Sequence, residues 1–302
     1  MSYSLNKFFN GIGSSRQIFH VKLNRYMQRA DEMGQLSLIV SQVRKDHPGM
    51  ALRDLYQVIQ PVTIGRDQFE DYFKQMGYGV AIKRSFKRTT DSSGVIRFPN
   101  LIEDKQLTGV NQVWVSDITY YRIKEKFYYL TFIMDLYSRL IVGHSCSQTL
   151  LTAHTTIVAL KAALKTRGAK LPGLIIHSDG GGQYYSQEFR KITKDAEMVN
   201  SMGRSVYENP HAERVNGIIK NNYVRHYSPD HFAQLSRMTN KAVFMYNTEK
   251  PHRALKKLSP VQFENLINKK TVINKRKKVA KKENTTFTII RLTNSQKVVS
   301  TI

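Results

Sequence analysis

The 302-residue chain has one cysteine, one tryptophan and no long uncharged apolar run. A single thiol, Cys146, excludes an internal disulfide, and without a C-x-x-C pair there is no thiolate zinc site or dithiol redox centre to build. The first residues, MSYSLNKFFNGIG, lack the apolar stretch of a signal peptide, and no run approaches the ~20 residues of a membrane span. A soluble, cytoplasmic protein is expected. Acid is scarce as well: 23 Asp and Glu stand against 47 Lys and Arg, a net charge of +24. The excess is distributed, with +7 over residues 1–100, +8 over 101–265 and +9 over 266–302. A basic tail alone would serve solubility or localisation. Excess in every part predicts a long polyanion lying across the molecule, and nucleic acid is the expected partner. A membrane partner is not expected, because no basic amphipathic helix shows a Trp-rich face.

Apolar residues are plentiful at 41%, enough for a real core. Residues 4–22 place two short apolar segments around NGIGS, with Ser14 or Ser15 able to cap the second, a helix-turn-helix pattern. Three more helices are predicted over 35–46, 50–59 and 65–78, separated by HPG and PVTIG. Such modules either read DNA or merely pack; the charge favours DNA. Residues 1–80 are therefore assigned as a helical DNA-binding region and 81–104 as a basic linker. Residues 105–268 form a catalytic-sized core, and 269–302 a basic tail whose end can pair as a short hairpin around TNSQ. Within the core, NQVWVSDITYYRI, KFYYLTFIMDLYSR and LIVGHSCSQ are rich in β-branched and aromatic residues and read as a meander of three strands. Helix, strand, helix, strand and two helices follow. The expected fold class is α/β, a mixed five-stranded sheet flanked by helices and preceded by small all-α modules.

Three acids stand out within that order. Asp117 lies on the apolar strand VWVSDITYY, where an ionised carboxylate is costly unless paired or metal-bound. A salt bridge to one of the many Lys or Arg residues is the plain alternative. Asp179 ends a second strand, IIHSD, and the glycines 180–182 remove side chains and permit positive φ where something large must approach. No G-x-x-x-x-G-K-[ST] or G-x-G-x-x-G pattern opens a helix there, so a phosphate loop is excluded. His177, Ser178 and Asp179 are consecutive, so they cannot form a nucleophilic triad: neighbours on a strand face opposite ways. Glu213 sits in YENPHAERVNGIIK, about one turn into a helix with Asn209 as N-cap and Pro210 at the first position. The helix dipole alone accounts for an acid at such a place. Yet Glu213, Asn216, Gly217 and Lys220 share one helical face, one that suits metal and then phosphate. Three hard-oxygen acids from two strands and a helix are what a pair of Mg²⁺ ions needs, about 3.5–4 Å apart, for in-line phosphoryl transfer.

The segments WVSDITYY, DLYSRLIVGH, IIHSDGGGQYYS, SMGRSVYENPHAERVNGIIK and YNTEKPHRALKKLSP resemble, in order and spacing, the transposase encoded by the second reading frame of IS3-family insertion sequences. The resemblance covers residues 1–268 and implies an RNase H-like core of the retroviral-integrase superfamily. It places the Asp-Asp-Glu triad on Asp117, Asp179 and Glu213, with Mg²⁺ as cofactor and Mn²⁺ as substitute. It makes Lys220 a DNA contact, and Arg214, Asn216 and Gln183 are further candidates for one. Asp135 and His177 are assigned to support the metal ligands; a packed core histidine is an equal reading of His177. Tyr246, Asn247, Pro251 and His252 lie where a helix gives way to a loop, near DNA or simply packed. The 33 residues between Asp179 and Glu213 are slightly fewer than the family's usual spacing, which is ascribed to a compact turn before Tyr207. The resemblance further implies action at terminal inverted repeats and on target DNA, a homo-oligomer on DNA, and a first-frame helix-turn-helix partner or frameshift fusion. A bacterial, nucleoid-associated location goes with it. A transposase-derived DNA-binding protein without catalysis and an RNase H-fold nuclease are the rival readings.

Overall fold

Strand-forming and helix-forming stretches sort into two compact units in the computed structural model, which describes residues 5–13, 15–80, 98–203 and 208–269. One unit comprises Met1–Asp91, Ile123–Lys126 and Gly217–Met245; the other comprises Ser92–Arg122, Phe127–Asn216 and Tyr246–Ile302. Most of the linker, the turn before Tyr207 and the tail hairpin lie outside the described residues.

The second unit is built on a sheet of β1 (Val113–Ile123), β2 (Lys126–Asp135), β3 (Ile141–Ser147), β4 (Ile175–Ser178) and β5 (Val199–Met202), in the order β3-β2-β1-β4-β5. β2 and β3 run antiparallel, whereas β1–β4 and β4–β5 are parallel. Parallel neighbours require crossovers, and helices supply them: α5 (Thr156–Arg167) leads to β4 and α6 (Gln187–Asp195) to β5. β4 is buried along its length, as expected of a central parallel strand covered on both faces. Trp114, Ile133, Leu160, Ile176 and Phe189 fill the core, with Trp114 fully buried as expected of a core residue. α5 lies unusually close to β3, because a Cβ on Gly143 would stand 2.2 Å from the Ala159 carbonyl oxygen. This is the mixed sheet that the strand order implied, and it has the RNase H-like form that the family resemblance implied.

One helix of this unit was not foreseen, over 260–269. Its signal was present in LSPVQ. The Ser259 hydroxyl accepts the Gln262 amide (3.3 Å), the Gln262 side chain accepts the Ser259 amide (2.9 Å), and Pro260 takes the first helical position. An Arg167–Glu264 ion pair ties this helix to α5.

The first unit contains α1 (Leu5–Gly11), α2 (Arg16–Asp46), α3 (Leu52–Ile59) and α4 (Arg66–Gln75). Ser15 caps α2, accepting the Ile18 amide at 3.2 Å. The separate helix expected over 35–46 is instead the last part of α2, which runs unbroken for 31 residues. Gly34 costs the helix only about 1 kcal/mol, and the turns beyond it bury Leu36 and Val40 against Leu55, Phe69 and Phe73. The same unit includes a π-helical segment, Ile219–Val224, which follows α7 (Pro210–Ile218) and runs into α8 (Arg225–Tyr227), and most of α9 (Phe232–Thr248). The HPG corner after α2 is seated on that segment. The Gly49 amide donates to the Asn222 carbonyl (2.9 Å), a Cβ there would lie 2.4 Å from the Asn222 Cα, and His47 Nδ1 is 3.0 Å from the Tyr223 hydroxyl. No described helix is long and apolar enough to cross a membrane.

Candidate active site

Asp117 is the fifth residue of β1, on the strand that pairs β4 in parallel, with Ser116 opposite Ser178. That register sets Asp117 beside Asp179, which follows the last residue of β4. The carboxylate of Asp117 accepts a 2.7 Å bond from Asn216 Nδ2. Behind it, the Ser116 hydroxyl is 2.9 Å from the hydroxyl of Tyr184, which is almost wholly buried.

Asp179 enters a loop whose glycines supply room. Gly181 has φ −67°, an ordinary value for any residue, so freedom of φ is not what it contributes. A Cβ there would stand 3.1 Å from Asp179 Oδ1 and 3.2 Å from Gln183 Oε1, and the Gly181 amide instead donates to Asp179 Oδ1 at 3.1 Å.

Glu213 comes from the first turn of α7. Asn209 precedes that helix, and its carbonyl accepts the Glu213 amide at 3.3 Å. The expected side-chain cap is not made. Asn209 Nδ2 donates to the Ser116 carbonyl (2.9 Å), and Oδ1 has no partner among the described residues. This buried amide therefore fastens the start of α7 to β1 at the residue before Asp117, a long-range link that sequence periodicity does not signal.

The electrostatics follow from that convergence. Burial, reinforced by the charges of Asp179 and Glu213, pushes the Asp117 carboxyl up to about 8 despite the hydrogen bonds from Ile118 and Asn216. Burial raises Asp179 against the Gly181 amide, and burial with the Asp179 charge raises the more exposed Glu213. Burial and the charges of Asp179 and Asp117 drive Tyr184 well up, so its phenol stays protonated. None of the three acids forms an ion pair with Lys, Arg or His among the described residues, so the salt-bridge alternative for Asp117 is not what the fold provides. Among the described residues no group of three or more His, Cys, Asp or Glu stands close enough together to hold a metal ion by itself. Mutually repelling, unneutralised carboxylates suit an open site for a hard divalent cation, the kind Mg²⁺ occupies with one or two protein carboxylates while keeping waters and substrate oxygens.

Two family profiles described as Integrase core domain match residues 108–207 and 194–260, together about half of the chain and all of this site. The Insertion element IS600 uncharacterized 31 kDa protein of Shigella sonnei is 29% identical over 242 residues, 78% of this chain and 88% of its own length. Transposase InsF for insertion sequence IS3A of Escherichia coli is 36% identical over 176 residues, 55% of this chain. The chain carries an integrase core and is similar to the IS3-type insertion-element transposases. Its match spans 58% of the length of InsF. The integrase catalytic core domain of HTLV-2, solved in complex with magnesium, aligns with 51% of this chain and 95% of its own at 27% identity and a TM-score of 0.41.

The remaining residues singled out in the sequence take varied places. Asn216 is buried and serves Asp117, with its Oδ1 left without a partner among the described residues. Asp135 is fully buried at the end of β2 and accepts the amides of Asn111 (2.6 Å), Tyr137 (3.0 Å) and Ser138 (2.9 Å), shaping the turn into β3. His177 is buried within the sheet, its Nδ1 2.9 Å from Ser201 Oγ on β5, and burial lowers its pKa. Gln183 reaches the Leu150 carbonyl at 3.4 Å. Arg214 is exposed on α7, and Lys220 lies in the π segment of the other unit. Ser116, Tyr184 and Asn209 were not foreseen, because each acts through a contact far away in sequence.

Proposed function

We propose that the chain is a metal-dependent DNA transposase that cleaves at the terminal inverted repeats of an insertion element and transfers the exposed 3′-OH to a target phosphodiester. One observation supports this above the rest: acids from β1, from the end of β4 and from α7 converge, so that Asp179 and Glu213 raise the pKa of Asp117 and Asp179 raises that of Glu213, with no ion pair to any of them among the described residues. Asp117, Asp179 and Glu213 would hold two Mg²⁺ ions, with Mn²⁺ as substitute, whose chemistry is to activate the attacking oxygen and stabilise the leaving one. Asn216 fixes the orientation of Asp117, and the Gly181 amide fixes Asp179. Asn209 holds α7 against β1, so that Glu213 is presented in advance of substrate. The buried Tyr184 hydroxyl bonds Ser116 and lies close enough to Asp117 and Asp179 to feel both charges. The exposed side of Glu213 and the missing side chain at Gly181 leave the approach open to a DNA strand.

A homo-oligomer on DNA suits this reading, since two element ends must be handled together, and a first-frame protein is the proposed second partner. A nucleoid-associated cytoplasmic location goes with the net charge of +24. The test is labelled donor DNA bearing the terminal repeats, incubated with Mg²⁺, with and without the first-frame protein, beside Asp179→Asn. Cleavage or joining at the repeat tips by the wild type alone supports the proposal. Tight DNA binding with no turnover in either arrangement would sink it in favour of a binding protein, and cleavage of RNA–DNA hybrids alone would favour a nuclease.

A further inference from the structure

Three separate sequence segments, DLYSR, NPHAER and YNTEKPH, meet on the far side of α7's first turn and bring their cations together. Arg139 follows β2 in a turn at φ +63°, the left-handed region that non-glycine residues seldom adopt. Its Nη1 donates to His211 Nδ1 at 2.9 Å, so His211 keeps its proton on Nε2 and offers that N–H as a donor. Arg214 follows His211 by three positions on α7, so the two share a helical face, and Arg214 has no ion-pair partner among the described residues. From α9, Asn247 clamps the start of β3, accepting the Ile141 amide (3.0 Å) and donating to its carbonyl (2.9 Å). The loop that follows brings His252 against Tyr246, with ring centroids 4.8 Å apart. His252 Nε2 is buried with no partner among the described residues. Burial and the charges of Lys250, Arg139 and Arg214 push that histidine down to about 3.

What the cluster lacks is a carboxylate in contact, since the Asp135 charge supports Arg139 only from beyond ion-pair distance. Arg139 is largely desolvated, yet no carboxylate lies within ion-pair distance of it among the described residues. Asp135, the acid on its own turn, accepts three backbone amides instead. A partly buried guanidinium with no carboxylate in contact is costly. A phosphodiester offsets that cost, since Arg matches phosphate geometry through paired N–H donors and the His211 Nε2–H adds another. We propose that Arg139, His211 and Arg214 form a phosphate-binding site that grips the backbone of a DNA strand on the face of α7 turned away from Glu213. This rests on DNA being the substrate. The site reads no sequence; it sets the position of the strand relative to the acid that α7 carries.

The test uses the full chain and a fluorescein-labelled duplex in metal-free buffer, with anisotropy followed across a salt titration. Arg214→Gln is the cleaner variant, because that side chain is exposed and makes no hydrogen bond among the described residues; Arg139→Gln is checked first by thermal melting. Each is expected to weaken binding on the order of tenfold at 0.1 M salt and to reduce the slope of log K against log salt by about 0.9. Arg139→Lys is expected to keep the slope. Lys165→Gln, on the exposed side of α5, serves as the control for a general loss of charge and is expected to bind as wild type. Wild-type slopes in both Gln variants, or an equal loss in the Lys165 control, overturn the site while leaving DNA as the substrate. Failure of the wild type to bind DNA at all overturns the underlying reading as well.

Discussion

At the scale of single residues, the site is a store of repulsion. Asp117 is raised to about 8 from an ordinary value near 4, and Asp179 and Glu213 shift the same way. A carboxyl whose folded pKa lies above its unfolded one contributes stability that is complete below the unfolded value and is lost as pH rises through the folded value. The metal-free protein is therefore expected to lose melting temperature between about pH 4 and pH 8. Mg²⁺ should restore more of it at pH 8 than at pH 5, because cation and proton compete for the same oxygens. Differential scanning fluorimetry at the two pH values checks this, and equal Mg²⁺ effects at both would contradict the site. In metal-free buffer at pH 8, Asp117→Asn should melt higher than wild type while abolishing turnover, a trade that a structural aspartate would not show. Asn216→Ala should cost about 10–100-fold in activity or metal affinity, the usual effect of removing the partner of a ligand, with DNA affinity little changed. A fall confined to DNA affinity would instead make Asn216 a DNA contact.

Elements hold those residues in place through a few close approaches. Asn209→Ala removes the donor that satisfies the Ser116 carbonyl and is expected to cost about 1–3 kcal/mol, or several degrees of melting temperature. Because the lost bond fastens α7 to β1, kcat should fall further than that loss of stability implies, while KM for DNA holds. Unchanged kcat in a folded Asn209→Ala protein would show that α7 is held by other means. Gly143→Ala tests the helix-on-sheet contact: its Cβ falls 2.2 Å from the Ala159 carbonyl oxygen, so α5 must shift, at about 1–3 kcal/mol. Equilibrium denaturation measures that directly. In the helical unit, Gly49→Ala meets backbone at Asn222 in the same way and should destabilise by a similar amount.

For the whole molecule, charge is the property that matters most, since excess cation runs through every part of the chain. Binding to DNA is expected to weaken steeply with salt through counter-ion release. Removing residues 270–302 deletes nine basic residues and one acid; the salt slope should become shallower, while cleavage at low salt, where binding is saturated, should persist. Loss of cleavage at saturating DNA would assign the tail a part in catalysis. The family resemblance read from motif order holds for the integrase core, and the tail after residue 269 remains a matter of charge alone.

Strand and helix periodicity, the three acids and the order of motifs were legible because each is a local property: a two-residue or 3.6-residue repeat, or a residue type at a fixed place on an element. Local rules also misled where packing outweighed them. Gly34 did not end α2, because the buried face of Leu36 and Val40 continued beyond it, and the capping box at Ser259 was present in the sequence yet went unread. Asn209 was expected to cap its own helix. Its amide is instead spent on β1, which only the parallel register of β1 and β4 brings within reach. The same holds for Tyr184 against Ser116 and for Arg139 against His211, a bond spanning 72 residues. Sequence determines which residues can do chemistry and on which element each sits. Tertiary structure alone decides which charges go unneutralised, because burial and long-range proximity, not residue type, set the cost of an unpaired carboxylate or guanidinium.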